Sequence, residues 1–232
     1  IRIRPRRIKI MKSISFLEEL QRQVVARHKT ETRRLTDPQP DDYLLNPRGD
    51  FILPDGSRAD LLARRRLVRP RYKVGEVIYI KEPYVDDIDP DRVFYKYDPV
   101  DIQALMNLGY GECLDKPGFW RNKQSMSARM ARYFLRITAR HGERLQDITD
   151  EGCKKEGIFS DALECNFGLP NIQCTALETV LGKSWRDAYA SLIDLTYWEG
   201  TWKKNPYVWV YGFEFTTELT AAERRHYNLP KQ

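Results

Sequence analysis

Residues 208–215, VWVYGFEF, form the clearest β-strand pattern in the chain and are the best starting point for its fold. Trp209, Tyr211, Phe213 and Phe215 alternate along the segment, so an extended strand would carry all four rings on one face. Such an aromatic stripe is typical of core packing. We therefore interpret it as a buried face of a sheet and not as a surface that stacks on a ligand.

Hydrophobic spacing predicts further elements upstream. Apolar residues at helical intervals and a serine at the start, either Ser13 or Ser15, indicate an amphipathic helix over residues 13–28. Alternation over residues 131–140 predicts a strand with one apolar face and one largely basic face. The other predicted strands are 77–81 and 93–97, and the other predicted helices are 99–108, 149–156 and 184–195.

The connections set the fold class. Residues 37–59 are rich in Pro, Asp, Gly and Asn, which predicts a long surface loop that could contain a hairpin. Residues 159–180 favour neither helix nor strand. Because strands alternate with short helices without regular βαβ units, we expect an α+β fold built on a small mixed barrel with peripheral helices.

The basic character of the chain is unevenly distributed. Its 232 residues carry a net charge of +6. Residues 1–10 hold five of the 39 basic side chains and no acid, so the remainder has 34 basic against 33 acidic residues. We leave three interpretations open for this segment, namely sequence foreign to the native protein, a first β-strand, or a tail that binds nucleic acid.

Cysteines and histidines give no sign of a metal centre. The four cysteines have no CxxC spacing, and the three histidines are scattered. We expect free thiols in a reducing cytoplasm, with neither a metal nor another cofactor. No stretch approaches the eighteen or so apolar residues that span a membrane, so no membrane partner is expected.

Four segments in order carry a family resemblance. They are HKTETRR (28–34), YKVGEVIYIKEPY (72–84), ERLQDITDEGCKKEGI (143–158) and NPYVWVYGFEF (205–215). Together they resemble the ASCH domain family, in particular its larger members associated with phages and prophages. The resemblance implies a PUA-like β-barrel with a cleft for RNA or a nucleoside, DNA being an alternative ligand.

This resemblance also implies a domain organisation. Residues 11–232 would be a single ASCH domain, with insertions near 37–70 and 99–125. The chain is also about twice as long as the minimal enzymes of the family, and it carries these insertions. They could reshape the cleft, and with it the substrate or the activity.

Lys29 and Thr32 are the first candidate site residues. In a helical or turn conformation they would lie one turn apart on the same side. A desolvated ammonium can lose its proton and act as a base for a hydroxyl or a water molecule. The structural alternative is a Lys that neutralises helix-end carbonyls and a Thr that completes a turn.

Glu156 is the second candidate, because it breaks a local rule. It is predicted to end the helix that Thr149 caps, immediately before Gly157. A carboxylate there faces the negative end of the helix dipole, where a lysine would be favoured. Such a violation can mark a functional residue. The structural alternative is a solvated surface carboxylate.

The resemblance connects these residues. Small bacterial ASCH enzymes that remove the acetyl group from N4-acetylcytidine use a Lys, a Thr three residues later, and a Glu seven residues after the Thr that opens the helix. Lys29, Thr32 and Glu156 match this pattern. It implies that Thr32 or a water molecule attacks the amide, Lys29 accepts a proton and Glu156 protonates the leaving amine.

Basic and aromatic side chains form the third group of candidates. Arginine suits phosphate, and exposed aromatic rings suit unstacked bases. Tyr79, Tyr84 and Trp120 are the stacking candidates. The residues expected to bind nucleic acid or substrate are Arg33, Arg34, Lys81, Glu82, Arg132 and Arg136.

Function remains divided among several hypotheses. The leading one is recognition of RNA or a modified nucleoside, extended by hydrolysis of an N-acyl nucleobase amide if the three-residue match reflects a shared site. The alternatives are a non-catalytic RNA- or DNA-binding module, a ribonuclease, and a phage accessory protein without chemistry.

Overall fold

In a computed structural model, the described residues are 10–37, 39, 44–48, 50–52, 68–161, 166–170 and 177–230. They form six α-helices and twelve β-strands. The helices are α1 (Glu18–Val25), α2 (Pro99–Asn107), α3 (Asp150–Lys155), α4 (Trp185–Thr196), α5 (Thr201–Lys204) and α6 (Ala221–Tyr227). The strands are β1 (Ser13–Ile14), β2 (Glu31–Leu35), β3 (Leu44–Leu45), β4 (Phe51–Ile52), β5 (Val77–Ile80), β6 (Tyr84–Asp89), β7 (Arg92–Tyr95), β8 (Phe134–Arg144), β9 (Phe159–Asp161), β10 (Asn166–Pro170), β11 (Leu177–Gly182) and β12 (Tyr207–Thr216).

These strands form four sheets. The largest has the order β1-β5-β8-β12-β2, a second has the order β11-β10-β9, and β3-β4 and β6-β7 are two-stranded. The protein is therefore of the α+β class, as expected. Among the described residues, no sheet closes into a barrel. No helix there is long and apolar enough to cross a membrane.

The structure divides into two compact units that alternate along the chain. The described part of the first unit comprises residues 10–18, 77–135 and 216–230. The second unit lies within residues 19–76 and 136–215. Strand β8 begins in the first unit and ends in the second.

The first unit has a core rich in tyrosine and methionine. Tyr79 and Tyr84 are buried there with Met126 and Phe134, and the Tyr79 hydroxyl donates to the Met126 carbonyl at 3.0 Å. Trp120 is half-buried and donates from its indole nitrogen to the Leu114 carbonyl at 2.8 Å. Burial thus leaves neither tyrosine available to stack on a base, contrary to the sequence-based expectation.

The second unit is organised around β12, and most of the predicted aromatic stripe is buried as expected. Trp209, Tyr211 and Phe213 are buried, while Phe215 is half-buried. Strand β2 pairs antiparallel with β12, with Thr32 opposite Tyr211. Because β2 is the last strand of the sheet, its outer edge has no strand partner among the described residues. The helical or turn conformation expected for residues 29–32 is wrong, since β2 begins at Glu31.

The first predicted helix is much shorter than expected. Helix α1 covers only Glu18–Val25, and Ser13–Ile14 instead pairs parallel with β5. Neither Ser13 nor Ser15 therefore caps the helix. At the other end, Arg27 has a φ of 63°, the left-handed conformation that commonly terminates a helix. The helical spacing of apolar residues extends beyond both ends of α1. The helix itself is shorter because Ser13–Ile14 pairs with β5 and the left-handed Arg27 ends it.

Two predicted helices are confirmed, and a side-chain cap opens each of them. The Thr149 hydroxyl accepts the Gly152 N–H at 3.1 Å and opens α3. The Ser184 hydroxyl accepts the Asp187 N–H at 3.1 Å and opens α4. Gly157 follows α3 with a φ of 93°. A side-chain oxygen at the start of both helices and a left-handed glycine after α3 determine these boundaries locally.

The structure confirms some of the remaining predicted elements and corrects others. Residues 99–107 form a helix inside the expected insertion near 99–125, and the loop at 37–59 contains a hairpin, β3-β4. The unassigned region 159–180 contains β9, β10 and the start of β11, which form an antiparallel sheet. Strand β6 was not predicted. Residues 1–9 and most of the insertion at 37–70 lie outside the described residues.

Gly157 gives a test of this architecture. A Cβ at this position would lie 3.2 Å from Gln23 Cβ and 3.3 Å from Lys29 Cβ. Gly157→Ala should combine that crowding with left-handed strain, lowering the free energy of unfolding by about 2 kcal/mol or more in urea denaturation. Gly200→Ala is the matched control, because its φ is 81° but a Cβ there meets nothing within 4 Å. It should cost only about 1 kcal/mol, and equal losses would contradict the close packing at Gly157.

Candidate functional site

Lys29 and Glu156 meet in the interior of the second unit. The Lys29 ammonium donates to the Glu156 carboxylate and, at 2.8 Å, to the Glu156 backbone carbonyl. Lys29 is 1% exposed and Glu156 is 4% exposed. Because Glu156 is the C-cap of α3, the ammonium lies at the negative end of that helix. Lys29 therefore neutralises helix-end carbonyls, which is the structural alternative given for it above. Glu156 is buried, so it is not a solvated surface carboxylate.

The same carboxylate accepts a hydrogen bond from the outer edge of β2. Glu156 Oε1 accepts the backbone N–H of Arg33 at 2.6 Å, and the Thr30 N–H donates to the Lys155 carbonyl at 2.9 Å. The Arg33 guanidinium approaches Glu156 Oε1 at 3.3 Å. Helix α3 thus provides hydrogen-bond acceptors along part of β2, where a further strand would otherwise be needed.

Arg33 extends the pair into a larger ionic network. Its Nε donates to Glu143 Oε1 at 2.7 Å, and His141 Nε2 lies 3.2 Å from the other Glu143 oxygen. Glu31 lies 3.6 Å from the Arg33 guanidinium and 3.2 Å from the Lys155 ammonium. Among these residues, three cations face three carboxylates, so the cluster is balanced when His141 is neutral.

Burial and neighbouring charges compete in setting the pKa values of this cluster. It lowers the pKa of Lys29, and the neighbouring Glu156 carboxylate offsets only part of that effect. Burial would also raise the pKa of Glu143, but His141 and Arg33 hold it below its ordinary value. The Tyr189 hydroxyl lies 3.5 Å from Glu156 Oε1, and burial raises its pKa well above the usual range.

Thr32 does not join the pair. It lies in β2, is buried, and pairs opposite Tyr211. Because successive side chains of a strand point to opposite faces, the Thr32 side chain lies on the other face from Arg33, which contacts Glu156. Among the described residues, its hydroxyl makes no hydrogen bond to Lys29 or Glu156. Two of the three candidate catalytic residues therefore meet, in a buried cluster.

The predicted binding residues lie in varied settings. Arg34 is half-buried opposite Trp209, and Arg136 is half-buried in β8. In the first unit, Lys81 donates to the Gln124 carbonyl. Glu82, fully buried, pairs with Arg132 at 2.8 Å.

Arg132 is further fixed by its neighbours. It pairs with Asp98, and its guanidinium lies 4.1 Å from the ring centre of Tyr95 and 4.4 Å from that of Tyr133. A guanidinium held by two carboxylates and two rings has an evident structural role.

An open groove in the second unit was missed by the sequence analysis. Its volume is about 530 Å³, within the usual range for small-molecule sites. It begins at the end of β2, immediately after the Lys29–Arg34 segment. Its described lining consists of Leu35, Thr36, Asp37, Gln39, Arg144, Trp198, Thr201, Lys204 and Pro206.

Several lining residues serve to hold the groove together. The Gln39 amide donates to the Tyr207 carbonyl at 3.2 Å and accepts the Tyr207 N–H at 2.8 Å. The Thr36 hydroxyl donates to the same carbonyl at 3.3 Å, and the Thr201 hydroxyl donates to the Trp198 carbonyl at 2.7 Å. These polar groups are therefore engaged within the protein. No sequence signal joined them, because they come from separate segments.

Metal-binding groups and the Cys153 thiol are two other sources of chemistry to consider in the second unit. Among the described residues, no group of three or more His, Cys, Asp or Glu side chains could hold a metal ion. Cys153 is buried, and burial raises the pKa of its thiol to about 12. At neutral pH that thiol is protonated and a poor nucleophile.

Comparison with known proteins adds no relative: no family model, curated protein or solved structure matches this chain. The residues themselves and the motif resemblance are therefore the basis for assigning a function.

The Lys29–Glu156 pair can be tested by a double-mutant cycle. Lys29→Met and Glu156→Gln should each lower the free energy of unfolding by about 3–5 kcal/mol, since each leaves a buried charge without its main partner. The double variant should lose much less than the sum, because it removes both charges.

A matched pair provides the control for this cycle. Lys155 and Glu31 form a lysine–glutamate pair at 3.2 Å, but the Lys155 side chain is 46% exposed. The corresponding Lys155→Met and Glu31→Gln cycle should show a coupling of no more than about 1 kcal/mol. Similar coupling energies for both pairs would contradict a special role for the buried one.

Proposed function

We propose that this chain is a PUA-like ASCH protein that recognises RNA or a modified nucleoside without hydrolysing it. The family part of the proposal is supported by the four ordered motifs, which place HKTETRR, a glycine-turn strand, a capped helix and an aromatic strand in the sequence expected of such proteins. The PUA-like part depends on the same motifs, since the described strands alone do not close a barrel.

The binding part of the proposal is carried by the contrast between the two sites. The Lys29–Glu156 cluster is buried and its charges are mutually compensated. The groove that follows β2 is open and lined by Trp198, Arg144 and Lys204. Exposed aromatic and cationic side chains are the groups that bind unpaired bases and phosphates. Recognition at the groove, with the cluster in a structural role, therefore fits the geometry best.

RNA binding is the direct test. A labelled single-stranded RNA should bind with micromolar affinity in fluorescence anisotropy, and affinity should fall roughly tenfold between about 50 and 200 mM salt as a few phosphate contacts are screened. The Lys29→Met/Glu156→Gln double variant should retain this affinity, because it removes the buried charges as a pair. A single-stranded DNA of the same sequence would measure the preference for ribose. No affinity for RNA or for a panel of modified nucleosides at low salt would refute the proposal.

A second candidate, an N-acyl nucleobase amidohydrolase, is favoured by one observation. Lys29 has a pKa lowered by burial and touches a carboxylate, as an acid–base pair would. Access is the difficulty, because both side chains are almost fully buried.

Acetate release from N4-acetylcytidine distinguishes the two candidates. Hydrolysis by the wild-type protein that disappears in the Lys29→Met/Glu156→Gln double variant would establish the enzyme. Our proposal predicts no release by either protein. The control is binding by the same preparation, which shows that the protein tested is folded.

A further inference from the structure

The groove after β2 contains polar and aromatic side chains that differ in how far the fold itself uses them. Thr36, Gln39 and Thr201 are occupied by internal hydrogen bonds. Trp198 is 53% exposed. The remaining polar groups of the described lining are the Arg144 guanidinium, the Lys204 ammonium and the Asp37 carboxylate.

Trp198 is held in a well-defined position despite its exposure. It follows the end of α4, in a turn whose N–H groups on Gly200 and Trp202 donate to the Asp194 carboxylate at 3.2 and 2.8 Å. Its own carbonyl accepts the Thr201 hydroxyl. A large exposed ring on a fixed backbone loses little entropy on stacking.

Arg144 is likewise oriented in advance. Its guanidinium lies 3.7 Å from the ring centre of Tyr207, and one nitrogen donates to the Asn205 carbonyl at 3.1 Å. Among the described residues, neither Arg144 nor Lys204 forms an ion pair with a carboxylate. Within the part of the chain that the structure describes, the groove therefore presents two cationic side chains that no carboxylate pairs with.

These groups define the chemistry of a ligand. It needs a flat aromatic ring for Trp198, an anion for Arg144 and Lys204, and a hydrogen-bond donor for Asp37. A nucleotide has all three, in its base, its phosphate, and its hydroxyl or exocyclic amino groups. A volume of about 530 Å³ accommodates one such unit more readily than a helical duplex.

We propose that this groove binds one nucleotide unit, with the base on Trp198, the phosphate on Lys204 and Arg144, and Asp37 accepting a hydrogen bond from the base or sugar. This inference rests on the proposed function and assigns it a site. The nucleotide is either free or part of a single strand, since both present the same groups.

The test uses the full-length protein and adenosine 5′-monophosphate as the probe, followed by calorimetry and by quenching of tryptophan fluorescence. Adenosine and inorganic phosphate serve as the two partial ligands, and each should bind at least tenfold more weakly than the nucleotide. Trp198→Ala and Lys204→Ala should each weaken nucleotide binding roughly tenfold.

Matched controls lie beside the groove. Lys203 is the exposed neighbour of Lys204 on α5 and does not line the groove, and Leu195 is an exposed apolar residue of α4 that does not line it either. Lys203→Ala and Leu195→Ala should bind the nucleotide within about twofold of the wild type. Circular dichroism would verify that all four variants retain the fold.

The outcomes separate the site from the wider proposal. Equal nucleotide affinity in all variants, or no binding of the nucleotide at millimolar concentration, would overturn the groove assignment. RNA binding that survives Trp198→Ala and Lys204→Ala would also overturn it, while leaving RNA recognition intact. Nucleotide binding in the groove without affinity for RNA or modified nucleosides would support the site and contradict the wider proposal. Tighter binding of a single-stranded oligonucleotide than of the free nucleotide, lost in the same two variants, would identify the strand as the source.

Discussion

The contact between Glu156 and the edge of β2 is the constraint on which the second unit depends. An edge strand exposes N–H and C=O groups that need partners, and here the last residues of α3 provide them through the Glu156 carboxylate and the Lys155 carbonyl. A carboxylate in that buried position is stable only beside a cation. Lys29 and Arg33 meet this need, and so the charges follow from the way the helix covers the strand.

This view explains why the most suggestive residue was visible in the sequence while its partner was not. Glu156 stood out because a carboxylate at a helix C-terminus breaks a local rule, and α3 itself could be located from Thr149 and Gly157. Lys29 lies 127 residues away, and no local pattern relates the two. The motif resemblance joined them, although it grouped Thr32 with them, and β2 directs that side chain to the opposite face.

Other elements show the same difference: those set by local sequence signals were predicted correctly, and those set by long-range contacts were not. Helix α4 and strand β12 were predictable, because helical hydrophobic spacing and an alternating stripe act within a few residues. The first helix was overestimated, since the pairing of Ser13–Ile14 with β5 overrides its spacing. The groove could not be foreseen at all. Its walls come from segments near residues 35, 144 and 200, and only the fold brings them together.

Strand β2 contributes residues to both the buried cluster and the groove. The first half of β2 is covered by α3, and its last residue, with Thr36 beyond it, lines the groove. The two regions are joined by Tyr197, whose hydroxyl donates to the Arg33 carbonyl at 3.4 Å and whose neighbour is Trp198. Anchoring the strand edge with buried charge thus helps to fix the turn that carries the exposed ring. Polar residues that resemble a catalytic site can in this way support the proposed binding groove without lining it.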